Sequence, residues 1–263
     1  MKKYLRWVNC TLQMCKGQRL DQFRICFDLN KFAQREIDKW LEFAFSRKVQ
    51  ILELDLNKGG ECTRDFDYCY AFPARLLGIG DSSYSFSFKP HPNNHQILPL
   101  VKQNFKSLKL LLLKSINVTG EVLEFFLRNC PFLETLVVHG SGTLLNLEVV
   151  ERELLLKNVP MLVEVDILGT PSTHLLDDIS SRLSCILSQL EVLTLQDSGS
   201  LFDLSHEDLE HYNFPELTKL KKFVLTTFRS TYKGEDQSLL GCTSIIRAAP
   251  QLKEFVLHVS IML

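Results

Sequence analysis

No run of aliphatic residues in this 263-residue chain is longer than the four leucines Leu110–Leu113, and lysines close it on both sides, Lys109 and Lys114. A membrane-crossing helix needs roughly 20 consecutive apolar residues, so none is expected. The first residues, MKKYLRWVNCTLQ, are basic but contain no apolar stretch of signal-peptide length. The expectation is an intracellular chain, cytoplasmic or nuclear, in which the Asn117-Val118-Thr119 sequon goes unused. A surplus of one charge is lacking as well, since the formal net charge is −1. Non-specific binding to nucleic acid or to an anionic membrane draws on a basic surplus, so neither is expected as a partner.

Signatures of chemistry are also missing. The eight cysteines, at 10, 15, 26, 62, 69, 130, 185 and 242, form no CxxC pair, and no histidine completes a zinc-finger spacing. They read as small buried or half-buried hydrophobes. There is no P-loop, no GxGxxG and no GxSxG elbow. His91 and His95 flank Pro-Asn-Asn, where the proline prevents a clean helical i, i+4 pair and no third ligand is near. Asp177–Asp178 and Glu207–Asp208 stand where helix starts are expected, and the helix dipole accounts for them. The expectation is a protein without enzymatic activity, metal or cofactor.

What is present is a repeat. RNCPFLETLVV at 128–138, KNVPMLVEVDI at 157–167 and RAAPQLKEFVL at 247–257 share one pattern. A basic residue and two spacers precede a proline, and apolar residues follow it at +2, +5 and +7. With the proline position as zero, the same triplet recurs from Gln18, Arg47, Lys106, Ser188 and Thr218. The steps run from 25 to 32 residues apart from one of 59, which reads as two units with a degenerate copy near Pro73–Ile79. A period of about 29 residues falls at the long end of leucine-rich repeats.

The spacing L-x-x-L-x-L alternates at its end, as a short strand with one buried face does. Between these strands Ile37, Trp40, Leu41 and Ala44 keep helical spacing, as do Val122, Phe126 and Leu127, and Leu175, Ile179, Leu183 and Ile186. Thr119 is placed to cap the second of these helices, with Glu121 in its first turn. The prolines fall between helix and strand, where a missing N–H costs little. The predicted fold is α/β, a leucine-rich repeat solenoid whose curved parallel sheet carries helices outside it. A single unit cannot cover its own apolar faces, and stacking solves that. The asparagine usual after each strand is mostly absent: Asn57 fits the slot, and Ile116, Ser141, Ser198, Phe228 and Ser260 occupy it elsewhere. The hydrogen-bond ladder of regular repeats is therefore expected to be weak. Turn-rich loops at 57–67, 80–99 and 229–237 are candidates for contacts.

If +2, +5 and +7 point inward, then +4, +6 and +8 line the concave face. The candidate protein-binding residues there are Glu53, Asp55, Thr135, Val137, His139, Glu164, Asp166, Thr194, Lys222, Glu254 and His258. Their mixture of apolar and charged types suits a protein interface.

In this frame the chain resembles plant F-box/LRR-repeat proteins of the FBD type. The resemblance rests on LDQFRICFDL (20–29), IDKWLEFAFSRKVQILELDL (37–56), NFKSLKLLLLKSINVTGEVLEFFLRNCPFLETLVV (104–138) and SLLGCTSIIRAAPQLKEFVL (238–257). It implies the recognition part of a cullin-based ubiquitin ligase receptor, in which an F-box grips a Skp-type adaptor and the repeats present a target protein. Residues 1–17 carry no F-box pattern. They are expected to be the segment after a missing F-box, with 18–263 the repeat domain, 215–263 FBD-like, and the chain a truncated member. A Skp-type adaptor is then a partner only if the full-length product has an F-box. A free-standing scaffold or decoy with no link to ubiquitination is the alternative.

Overall fold

The computed structural model describes residues 2–17, 19–56, 66–79, 105–141, 159–168, 184–197, 216–230 and 245–262. Its main sheet has eight parallel strands: β1 (Gln22–Cys26), β2 (Ile51–Asp55), β4 (Leu110–Lys114), β6 (Thr135–His139), β7 (Glu164–Leu168), β8 (Val192–Asp197), β9 (Lys222–Ser230) and β10 (Glu254–Met262), hydrogen-bonded in that order. Every one begins four residues after a repeat origin read from the sequence. The +5 positions pair in one row, Phe23–Leu52–Leu111–Leu136–Val165–Leu193–Phe223–Phe255. The +7 positions form a second row from Ile25 to Leu257 in the same register. Between the two ends of the sheet these side chains are buried or nearly so. This is the open, stacked solenoid expected for the class.

One turn recurs in front of the strands. The +2 N–H donates to the carbonyl at −1 in Leu108→Phe105, Leu133→Cys130, Leu162→Val159, Leu190→Leu187, Leu220→Leu217 and Leu252→Ala249. Pro131, Pro160 and Pro250 therefore occupy the second position of a β-turn, where proline's fixed φ fits and its N–H is not needed. The −1 residues Phe105, Cys130, Val159, Leu187, Leu217 and Ala249 are all buried. The next two N–H groups both reach the +3 carbonyl of the preceding unit, as Glu134 and Thr135 do to Lys109. This backbone ladder repeats at the head of every main-sheet strand after β1. Ser141 adds to it: its buried hydroxyl accepts from the Val118 N–H at 2.8 Å and donates to the Val118 carbonyl at 3.1 Å.

The helices lie where the apolar spacing places them. Helix α2 (Gln34–Ser46) buries Ile37, Trp40, Leu41 and Ala44. Helix α3 (Gly120–Asn129) buries Val122, Leu123, Phe126 and Leu127, and the Thr119 side chain accepts from the Val122 N–H at 3.4 Å. Of the third expected helix, the described part is one turn at Ser184–Leu187, with Ile186 buried. An N-terminal helix, α1 (Lys2–Met14), lies against α2. Asn9 ties the two together, accepting from the Trp40 indole at 2.7 Å and donating to Glu36 at 2.8 Å.

Two expectations are corrected. The 59-residue step adds no strand to the main sheet, because β2 pairs directly with β4. It is one unit with an insertion. Within that insertion β3 (Tyr70–Ala71) pairs with β5 (Ile116–Asn117) in a separate two-stranded sheet, and Ala74–Leu77 form a 3-10 turn. The insertion is anchored by Asp38 of α2, which accepts from the Tyr70 hydroxyl at 2.8 Å and pairs with Arg75. The cysteines also divide: Cys69 and Cys130 are buried and Cys15 half-buried, but Cys10 and Cys26 are exposed. Cys10 sits on the outward side of α1, and Cys26 is at the +8 position of the edge strand β1. The side chains of Cys62, Cys185 and Cys242 lie outside the described residues, as do His91, His95, Asp177–Asp178, Glu207–Asp208 and most of the three loops.

Phe126 is fully buried and meets Phe45, Phe72, Phe105 and Phe125 at centroid distances of 6.4, 5.7, 5.9 and 5.8 Å. Phe125 is its neighbour on α3, and the other rings come from α2, the insertion and the turn before β4. Truncation of a buried phenylalanine costs about 3–5 kcal/mol. Phe126→Ala is expected to fall in that range in urea unfolding, with half-buried Phe125→Ala well below it.

Candidate protein-binding face

The side chains at +4, +6 and +8 stand on the face of the sheet turned away from the core. In the middle of that face lies an apolar floor. Ile51 pairs with Leu110, and Leu112 pairs with Val137. Ile51, Leu110 and Leu112 are half-buried although they face away from the core, and Val137 is 8% exposed. Carboxylates stand on both sides of this floor: Glu53 and Asp55 on β2, Glu164 and Asp166 on β7.

Local partners hold these groups in place. Arg24 on β1 meets Glu53 at 3.0 Å, and the Gln22 amide donates to Glu53 at 3.3 Å. The Thr135 hydroxyl donates to Glu164 at 3.3 Å. His139 Nε2 and Asp166 Oδ1 lie 2.9 Å apart, both shielded from solvent. Their approach is off the line of a hydrogen bond. Asp55 is in register with Lys114. Around the floor, four carboxylates thus face two full cations, Arg24 and Lys114, among the described residues. Half-buried ion pairs of this kind add little net stability, but they fix where charge stands.

The remaining candidates lie farther along. Thr194 is half-buried on β8, in register with Asp166 and Val224. Lys222 and Glu254 pair at 2.9 Å, and His258 is exposed beside Thr226. Seven of the eleven candidates therefore gather around the floor, while Thr194, Lys222, Glu254 and His258 extend the face toward β10. The floor residues Ile51, Leu110 and Leu112 belong to the same +4 and +6 rows but were not among the candidates. Arg24 and Gln22 of β1 were missed because the rows were read from β2 onward. Arg24 and Gln22 follow from extending the rows one strand back, whereas the sequence does not show how far an outward aliphatic side chain is covered.

Comparison with known proteins places the chain in a family. The family model described as "At1g61320/AtMIF1, LRR domain" matches residues 12–167, more than half of the chain. The chain is 30% identical over 138 residues to the putative F-box/LRR-repeat protein At5g02700 of Arabidopsis thaliana, covering 50% of this chain and 27% of that protein. It is 30% identical over 132 residues to the putative F-box/LRR-repeat protein At3g28410 of the same plant, covering 49% of this chain and 26% of the relative. A third relative, the F-box/LRR-repeat protein At3g03360 of A. thaliana, is 24% identical over 300 residues, covering 95% of this chain and 59% of the relative. The chain thus spans between about a quarter and three fifths of the length of these curated relatives. It belongs to the leucine-rich repeat family that the model describes, and it is similar to these plant F-box/LRR-repeat proteins.

Proposed function

We propose that this leucine-rich repeat chain is a non-enzymatic protein-binding module that works in the cytoplasm or nucleus and docks its partner on the outward face of the sheet. The observation that carries the reading is the floor of Ile51, Leu110, Leu112 and Val137 walled by Glu53, Asp55, Glu164 and Asp166. An apolar centre with a polar rim is the anatomy of a protein interface. A partner that presents apolar side chains bordered by lysine or arginine fits it. Its similarity to F-box/LRR-repeat proteins supports reading the module as the target-recognition part of a ubiquitin-ligase receptor. Coupling to a Skp-type adaptor would need an F-box in the full-length product.

The test is quantitative. Glu164→Lys combined with Asp166→Lys reverses one wall without touching the core. Binding to a partner recovered with the wild-type chain is expected to weaken about tenfold or more, the size of effect that charge complementarity carries. The control, Glu121→Lys on the exposed first turn of α3, is expected to leave binding unchanged. Equal loss in both variants, or no loss in the first, would remove the face from the binding site. Co-expression with a Skp-type adaptor tests the ligase link separately: co-purification supports it, and failure leaves a recognition module uncoupled from ubiquitin transfer.

A further inference from the structure

Helix α1 divides sharply into two sides. Tyr4, Leu5, Val8 and Leu12 pack against the core. On the other side Trp7 is 65% and Met14 79% exposed, with exposed Cys10 between them at i+3 and i+7. This makes an apolar ridge of two turns on a surface where tryptophan is rarely left in water. The chain has two tryptophans, and the other, Trp40, is 1% exposed.

The charge on α1 is one-sided. The helix carries Lys2, Lys3 and Arg6 and no acidic residue. All three cations are exposed, and none forms an ion pair among the described residues. They stand in the first turns, at the positive pole of the helix, where cations are disfavoured. Placing them there costs stability, and no carboxylate on the helix offsets it. Beside the far end of the ridge, a groove of about 410 Å³ opens between α1 and α2, lined by Gln13, Cys15, Lys39, Phe43 and Arg47 among others.

We propose that the outward side of α1 is a docking site for an acidic amphipathic helix of another protein. Its apolar anchors would lie along Trp7, Cys10 and Met14, and its carboxylates would face Lys2, Lys3 and Arg6. Helix recognition of this kind reads anchors at i, i+3 and i+7, and exposed tryptophan is the residue most often found at binding hot spots. A lipid surface fits less well. The broad apolar side of α1 is already spent on the core, and two exposed anchors leave too little area for a helix to lie in a bilayer interface. This site is separate from the sheet face, so either can fail without the other.

Trp7 provides the readout. The full chain is titrated with a synthetic peptide of about three heptads, leucine at a and d and glutamate at the flanking positions. Docking is expected to shift the Trp7 emission to the blue and protect it from acrylamide, while a Trp7→Phe chain, reporting only Trp40, shows no change. Lys2→Glu/Lys3→Glu/Arg6→Glu is expected to weaken binding about tenfold or more, and Met14→Ala several-fold. These exposed substitutions leave far-UV circular dichroism and the buried Trp40 signal as controls of folding. The proposal is overturned if the peptide gives no response, if the charge reversal binds equally well, or if a lysine version of the peptide binds as tightly. A response to phosphatidylserine vesicles or to a single-stranded oligonucleotide without one to the acidic peptide overturns it as well.

Discussion

A Leu136→Asp chain is expected to lose its cooperative thermal transition and to elute as unfolded or aggregated material, while Thr135→Lys, one residue away, folds like the wild type. Leu136 is 2% exposed on β6, with Leu111 and Val165 directly beside it in the +5 row. An aspartate there meets only aliphatic neighbours in the row. Burying an unpaired carboxylate costs several kcal/mol, and a domain has about 5–15 kcal/mol in all. The damage spreads because each unit in a stacked solenoid rests on its neighbours, and β6 is in the middle of the order. Thr135 points to the opposite face, half-buried and 3.3 Å from the Glu164 carboxylate. A lysine at that position finds water and an opposite charge. The pair of variants tests the inside–outside alternation at single-residue resolution. A Leu136→Asp protein with a sharp unfolding transition would mean that the +5 row is not the core.

Much of this was legible because a solenoid makes long-range contacts between equivalent positions. Once the proline-anchored triplet is set in frame, the origins at Pro131 and Pro160 dictate that Leu136 sits beside Val165, although a whole repeat separates them in the chain. Strand starts, inward rows and two helices then follow from periodicity alone. The buried −1 position escaped only because the frame was read forward from the proline; Cys130, Val159 and Leu187 stand one residue behind it. The apolar floor was hidden for a different reason. Leu110, Leu111, Leu112 and Leu113 are identical in type, so the sequence shows which two face outward but not that their outward exposure is the unusual feature.

The insertion was not legible, because what holds it is not periodic. FPARLLGI has the composition of another repeat, yet Tyr70 and Ala71 pair with a two-residue strand after β4, and the decisive contact is Asp38 with Tyr70 and Arg75. Asp38 lies between Ile37 and Trp40 on α2, and nothing in its spacing distinguishes it from a surface aspartate. In the structure it is 4% exposed. The exposed Cys10 and Cys26 illustrate the same limit: a cysteine's type favours burial, but the face of the element decides it.

That buried aspartate gives the second large effect. Asp38→Ala strands the Tyr70 hydroxyl, which is itself fully buried, and leaves Arg75 without its carboxylate. Removing one member of such a network costs about 3 kcal/mol or more. The loss is expected to be visible as a lower urea midpoint and as earlier proteolysis within 66–79. The pH dependence separates charge from hydrogen bonding. Burial raises the Asp38 carboxyl above its ordinary value, although the Tyr70 hydrogen bond and the Arg75 charge pull the other way. Burial, then the Asp38 charge, pushes the Tyr70 phenol well up, so it remains a donor. Because the folded carboxyl holds its proton to higher pH than the unfolded one, the folded state binds more protons between the two values. The Asp38 contribution is therefore fully present below the ordinary carboxylate range and declines as pH rises through the raised folded value. Asp38→Asn keeps an acceptor for Tyr70 and abolishes the titration. The stability difference, wild type minus Asp38→Asn, is expected to be greatest in acid and to fall as pH rises across that window. A difference that stays flat would show Tyr70 and Arg75 balancing burial, and one that grows with pH would show the carboxylate stabilised in its charged form; either outcome overturns the expectation.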